Sequence, residues 1–137
     1  METLLQNEIF MTAAYYSIAM LALLLFLSIF ELVTSYNNWE ELKKGNVAVA
    51  LSTAGKILGV ANIFRHSIEQ SDSMLIMLGW SALGFVLMLL SYFIFEFLSP
   101  SFKVDEELAK NNKAVGTISF ILSVGISYVV GACIVAL

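Results

Sequence analysis

Four long runs of apolar residues, separated by short polar stretches, dominate the chain. Crossing the hydrocarbon core of a bilayer takes about 20 mostly apolar residues in a helix. The first run, Ile9 to Ser35, contains one charge, Glu31. The second, Val47 to Ile68, carries Lys56, Asn62, Arg65 and His66. The third, Met74 to Ser99, holds only Glu96, and the fourth, Ala114 to Leu137, holds no charge. The pattern predicts an all-α polytopic membrane protein, with four transmembrane helices in a single integral membrane domain over residues 1–137. A cleaved signal peptide is the other reading of the first run. It is disfavoured by the acidic opening (Glu2, Glu8), the length of the run and the lack of a small-residue cleavage site, so a retained anchor is expected.

The runs also repeat each other. Ile29-Phe30-Glu31-Leu32-Val33-Thr34-Ser35 recurs as Ile94-Phe95-Glu96-Phe97-Leu98-Ser99-Pro100. One loop residue out of step, Glu40-Glu41-Leu42-Lys43-Lys44-Gly45-Asn46-Val47-Ala48-Val49 recurs as Glu106-Glu107-Leu108-Ala109-Lys110-Asn111-Asn112-Lys113-Ala114-Val115. Gly59 then falls opposite Gly125 and Ile68 opposite Ile134. The expected architecture is two tandem parallel helix-loop-helix repeats, about 9–68 and 74–134, related by an axis along the membrane normal. Lys56 is unrepeated, because Leu122 takes its place.

Composition agrees with the pattern. Hydrophobic residues make up 59% of the 137-residue chain, charged residues 13%, and mean hydropathy is +0.85. A soluble domain carries roughly 25% charged residues. With one Pro and no basic block, a disordered tail and a nucleic-acid-binding module are both excluded. The formal charge of −4 is too weak to point to a partner. Lys43, Lys44, Lys103, Lys110 and Lys113 all fall in the loops after runs one and three. The opposite side, made of both termini and the Glu69–Ser73 turn, has only Arg65 at its edge. Loops 36–46 and 100–113 are therefore expected in the cytoplasm and both termini outside.

The signature Glu-Glu-Leu-x-x-Gly/Asn-Asn-x-Ala-Val, present twice in a four-span chain of this size, resembles the membrane family catalogued as domain of unknown function 350. The resemblance is nearest to members from Gram-positive bacteria and covers nearly the whole chain. It implies a bacterial plasma-membrane protein with two copies of that domain. It carries no established chemistry onto particular residues.

Three groups of side chains are candidates for function. In run two, Ala48, Ser52, Gly55, Gly59, Asn62 and His66 recur at steps of three and four, and in run four Gly116, Ser119, Ser123, Ser127 and Gly131 do the same, with Gly125 beside them. Small residues let helices approach closely in lipid, so both stripes are expected to pack, within one bundle or between subunits of a homo-oligomer. A pore lined by Ser, Asn and His is the alternative. Runs one and three, richer in Leu, Phe and Met, should face lipid more.

Ionisable groups within a membrane cost about 3 kcal/mol each on insertion scales and are usually paired or functional. Glu31 and Glu96 lie roughly 6 Å inside their helix ends, and Lys56 roughly 13 Å in from the same side. A cluster of two glutamates and one lysine is geometrically reasonable, either as a structural ion network or as a proton or cation site.

The third group is in the loops: Glu40, Glu41, Lys44, Asn46, Glu106, Glu107, Lys110 and Asn112. Glu40–Lys44 and Glu106–Lys110 have the spacing of helical ion pairs, Asn38 with Glu41 resembles a capping box, and Asn46 and Asn112 fit N-cap positions. Trp39 suits the membrane interface. Helix ends on a solvated loop and a docking face for a cytoplasmic or membrane protein partner are the two readings. Arg65 and Glu69 are spaced for a salt bridge, and Cys133 is expected to be inert packing. A lone His holds no metal, and no cofactor or catalytic motif is present. The expected function is a non-enzymatic oligomeric scaffold or accessory component. The alternative is a small oligomeric proton or cation permease using Glu31 and Glu96.

Overall fold

The computed structural model describes residues 3, 6–34, 36–97 and 103–134, with the backbone alone for Glu96 and Phe97. Among the described residues from Asn7 onward, six helices follow one another: α1 (Glu8–Val33), α2 (Asn38–Lys43), α3 (Val47–Gln70), α4 (Met74–Phe97), α5 (Val104–Ala109) and α6 (Lys113–Cys133). Helices α1, α3, α4 and α6 are long and apolar enough to cross a membrane, while α2 and α5 are single-turn helices at one end of the bundle. Helix starts follow their polar residues. The Asn7 side chain accepts from Ile9 and Phe10 N–H groups, and Asn46 and Asn112 accept from Val49 and Val115. Helix α3 runs past the expected Glu69 turn to Gln70, and Arg65 and Glu69 pair along its last turn at 3.3 Å.

The most extensive helix contact joins α3 and α6, which run parallel. It is built through small residues. A Cβ on Gly55 would stand 2.8 Å from the Phe120 Cα, and one on Gly116 2.7 Å from the Ala48 Cα. Polar groups in this seam meet each other: Ser52 and Ser119 hydroxyls at 3.1 Å, and Asn62 Nδ2 donating to Ser127 Oγ at 3.1 Å. His66 lies against Gly131. Gly125 does not belong to the seam, being exposed with open space where a Cβ would sit. Helix α1 faces outward as run one was expected to, but α4 is no more outward-facing than α6. Half of α3 is buried and only 6% of α1, but α4 and α6 are equal at 28%, because α6 turns its other face, with Ile121, Tyr128 and Val129, outward.

Helix α1 is attached differently, by aromatic rings. Phe26 stacks on Phe85 at 4.4 Å and on Phe64 at 5.7 Å, and Phe30 meets Phe85 edge-on at 5.3 Å. These rings belong to a mid-bundle core with Val60, Ile63, Met88 and Val130. A second core lies under α2 and α5, where Val104 and Leu108 pack against Ala48, Val49 and Val115.

The two loop junctions share one geometry. After α2, the Gly45 N–H donates to the Leu42 carbonyl and the Asn46 N–H to that of Glu41. After α5, the Asn111 N–H donates to Leu108 and the Asn112 N–H to Glu107. Both are Schellman turns, and their left-handed residues are Gly45 (φ 78°) and Asn111 (φ 62°). The residue closing each turn is at once the N-cap of the next long helix. Its amide reaches back to the acid of the signature, Asn46 Nδ2 to Glu41 at 3.0 Å and Asn112 Nδ2 to Glu107 at 2.8 Å. Because α3 and α6 are parallel, both positive helix ends lie together, and these two carboxylates sit beside them.

Candidate functional site

Lys56 lies on the α3 face toward α1 and α4 and is 2% exposed. No carboxylate lies within ion-pair distance of it among the described residues; the ion pairs there are Glu41–Lys44, Arg65–Glu69 and Glu107–Lys110. Its ammonium instead lies among three rings from three segments: Tyr92 at 5.2 Å, Phe30 at 5.3 Å and Tyr36 at 6.0 Å. A cation over an aromatic face is attracted by the ring quadrupole, more so once water is excluded. Among the described residues, Asp105 and Glu31 are negative charges whose fields reach it.

The expected glutamate–lysine cluster is therefore only partly assembled. Glu31 accepts from the Asn38 N–H at 3.3 Å and from Asn38 Nδ2 at 3.2 Å, fastening the start of α2 to the end of α1. That contact removes Asn38 from the capping role, which Asn37 takes by accepting from the Glu40 N–H. The side chain of Glu96 lies outside the described residues. Asp105, which the sequence reading passed over, comes in from α5 and accepts the Tyr92 hydroxyl hydrogen bond. Its signal was available in part: Phe30 and Tyr92 stand close to Glu31 and Glu96 along the chain, at the depth where Lys56 ends.

Beside this group a cavity of about 290 Å³ lies between α1, α2 and α3. Glu31, Asn38, Thr53 and Lys56 line it together with apolar side chains. We expect Lys56→Met to fold and to unfold thermally at or above the wild-type temperature, since replacing a buried charge by an apolar side chain of similar volume is often neutral or stabilising. Lys56→Ala should lose about 2–3 kcal/mol through the hole it leaves. A Lys56→Met protein that melts as far below wild type as Lys56→Ala would mean that the ammonium itself holds the rings.

The loop candidates divide into two sets. Glu41, Asn46, Glu107 and Asn112 point inward and close the junctions. The lysines pair with the second glutamate of each signature, Lys44 with Glu41 at 3.6 Å and Lys110 with Glu107 at 3.9 Å, rather than with Glu40 and Glu106. The second glutamate is already turned along the loop by its asparagine, so the one-turn pair at i,i+3 forms. Glu40, Lys44, Glu106 and Lys110 remain exposed. Of the packing candidates, Ala48, Ser52, Gly55, Gly59, Asn62, Gly116, Ser119, Ser123, Ser127 and Gly131 line or border the α3–α6 seam. Cys133 is exposed rather than packed, at the rim of a smaller cavity with Trp80 and Gly84. Among the described residues no group of His, Cys, Asp and Glu is arranged to hold a metal ion.

A family model described as Domain of Unknown Function (DUF350) matches residues 3–134. The match is a single one that runs across both halves, so two copies of that domain are not supported. The chain is 61% identical over 127 residues to the UPF0719 transmembrane protein YshE of Bacillus subtilis (strain 168), covering 93% of this chain and 95% of that protein. It is 25% identical over 104 residues to the UPF0719 inner membrane protein YjfL of Escherichia coli (strain K12), covering 76% and 77%. No solved structure matches.

Proposed function

The chain belongs to the DUF350 family, with relatives named as membrane proteins, and from that premise we infer that it works as a non-enzymatic, self-associating membrane component whose loop end docks another protein. One observation carries the reading. The loop end is rigidly fastened from within, by Glu41, Asn46, Glu107 and Asn112, while Lys44 and Lys110, with side chains 69% and 71% exposed, stand outward beside Glu40 and Glu106. Charges held on an ordered scaffold lose little freedom on binding, which favours association. The small-residue seam is used up between α3 and α6, so self-association falls to the outer faces, where Gly125 leaves room for a second backbone. In this reading the loops are cytoplasmic and the membrane is the bacterial plasma membrane.

The double reversal Lys44→Glu with Lys110→Glu should leave stability within about 0.5 kcal/mol, as for other exposed positions. Proteins that crosslink to the wild-type loops in native membranes should no longer do so. Retention of every crosslinked protein by a correctly inserted variant sinks the docking reading.

A second reading is favoured by Glu31 and Lys56 lining the same cavity: a proton or cation permease that needs several copies to enclose a path. It requires flux in proteoliposomes of wild-type protein that disappears in the Glu31→Gln, Glu96→Gln double variant. Absence of flux from folded wild-type protein leaves the scaffold reading.

A further inference from the structure

The cavity between α1, α2 and α3 is walled by Leu24, Leu27, Phe30, Trp39, Leu42 and Ile57. Leu24, Trp39 and Ile57 are also exposed on the outer surface of the bundle, so its mouth faces sideways, toward lipid rather than along a helix axis. At about 290 Å³ it is close to the roughly 300 Å³ at which ligand pockets begin.

Its polar wall is unusual. Three residues that line it, Asn38, Thr53 and Lys56, each hold a buried atom with no hydrogen-bond partner among the described residues: Asn38 Oδ1, Thr53 Oγ1 and Lys56 Nζ. Asn38 is 7% exposed and Lys56 2%. The great majority of buried polar groups in proteins are paired, and three unpaired ones along one cavity call for partners that the described residues do not supply. The Lys56 stem forms part of the wall, and rotation about its terminal bonds carries the ammonium from the rings to the cavity.

The charges restrict what can enter. Glu31 lines the same cavity, and with Asp105 it already counters the lysine electrostatically. An anionic head would face the Glu31 carboxylate, whereas a neutral hydrogen-bond acceptor would not. Apolar walls and a mouth toward lipid require a body that dissolves in the membrane.

We propose that this cavity binds the carbonyl-bearing head of a neutral membrane-soluble amphiphile, with the Lys56 ammonium and Thr53 hydroxyl donating to carbonyl oxygens and Asn38 Oδ1 receiving a hydroxyl where the head has one. Trp39 and Phe30 flank the head, and the tail leaves between Leu24 and Ile57. The ring carbonyls of an isoprenoid quinone and the ester carbonyls of a diacylglycerol, whose head also offers a hydroxyl, share this chemistry. The site is independent of the loop-docking reading.

Trp39 reports on occupancy. Trp80 is the other tryptophan of the chain, so Trp80→Phe leaves Trp39 alone. Full-length protein in nanodiscs is titrated with menaquinone-4, a naphthoquinone with a short tail, and native mass spectrometry of the released protein registers any diacylglycerol retained from the cell membrane. The expected result is saturable quenching of Trp39, weakened at least tenfold by Lys56→Met and by Thr53→Val. Non-saturable quenching, combined with one diacylglycerol retained by wild type and lost in both variants, assigns the site to the ester carbonyl and also supports it. Should neither probe depend on Lys56 or Thr53 in folded protein, the proposal is overturned. Thr53→Val, which is nearly isosteric, keeps the test valid if Lys56→Met does not fold.

Discussion

Gly116→Val is expected to destroy the bundle, or to lower its stability by about 3 kcal/mol or more, at the upper end of the usual overpacking cost. The first atom added at Gly116 would stand 2.7 Å from the Ala48 Cα and 2.8 Å from the Ala48 carbonyl oxygen. These are backbone atoms of a helix, so no rotamer change relieves the clash and α3 and α6 must separate. Separation also breaks the Ser52–Ser119 and Asn62–Ser127 bonds and leaves those groups in hydrocarbon. Gly55→Val should behave alike, its Cβ meeting the Phe120 Cα at 2.8 Å. Gly59 is a milder case, because the nearest atom is the flexible end of Met88. Gly125→Ala is the control: it adds a methyl in open space and should match or slightly exceed wild type, by up to about 1 kcal/mol, through helix propensity. Thermal unfolding in detergent measures all four. At about 3–4 °C per kcal/mol for a chain of this size, the Gly116 variant should lose roughly 10 °C. A Gly116→Val protein with an unchanged melting temperature would falsify the α3–α6 seam.

Asn46→Ala should cost about 3 kcal/mol, and Asn112→Ala about 1 kcal/mol, although the two residues hold matching places in the loop signature. Both cap their helices and both bond the acid behind them. Asn46 alone crosses to the other loop, its Nδ2 donating to the Leu108 carbonyl at 2.9 Å and the Ala109 carbonyl at 3.3 Å. Truncation removes the one amide that bridges those carbonyls and the Glu41 carboxylate, in a site where Asn46 is 5% exposed. Aspartate, as good an N-cap as asparagine elsewhere, should fail here too. Asn46→Asp replaces the donor with an oxygen facing two carbonyls and a carboxylate. Chemical denaturation of the four single variants, Ala and Asp at each position, tests the asymmetry. Equal losses at Asn46 and Asn112 would mean that the cross-loop bonds contribute nothing.

The membrane spans, both N-caps and the small-residue seam were legible because each is a local pattern: a run of apolar residues, an asparagine before it, glycine and serine at steps of three and four. What the sequence did not disclose depends on which face of a helix meets which neighbour. Gly125 lies a few residues from Ser123 and Ser127 and reads like them, but faces outward. Lys56 could be placed by depth, and opposite charge made Glu31 its natural partner. The rings that surround it come from α1, the segment before α2, and α4, and no spacing rule joins Phe30, Tyr36 and Tyr92. Asn37 and Asn38 are adjacent, so nothing local decides which caps α2. The choice is made by Glu31, which takes Asn38.

The bonds between the two loops also set an order on synthesis. The Ala48 N–H, in the first turn of α3, donates to the side chain of Asn111, and Asn46 needs carbonyls from the end of α5. All of these partners are translated after α3 and α4. Until they arrive α3 has an incomplete start, and Ser52 and Asn62 have no α6 to cover them. Such groups are poorly tolerated by lipid. The first hairpin is therefore a weak folding unit, and the bundle closes late, once its last helix arrives.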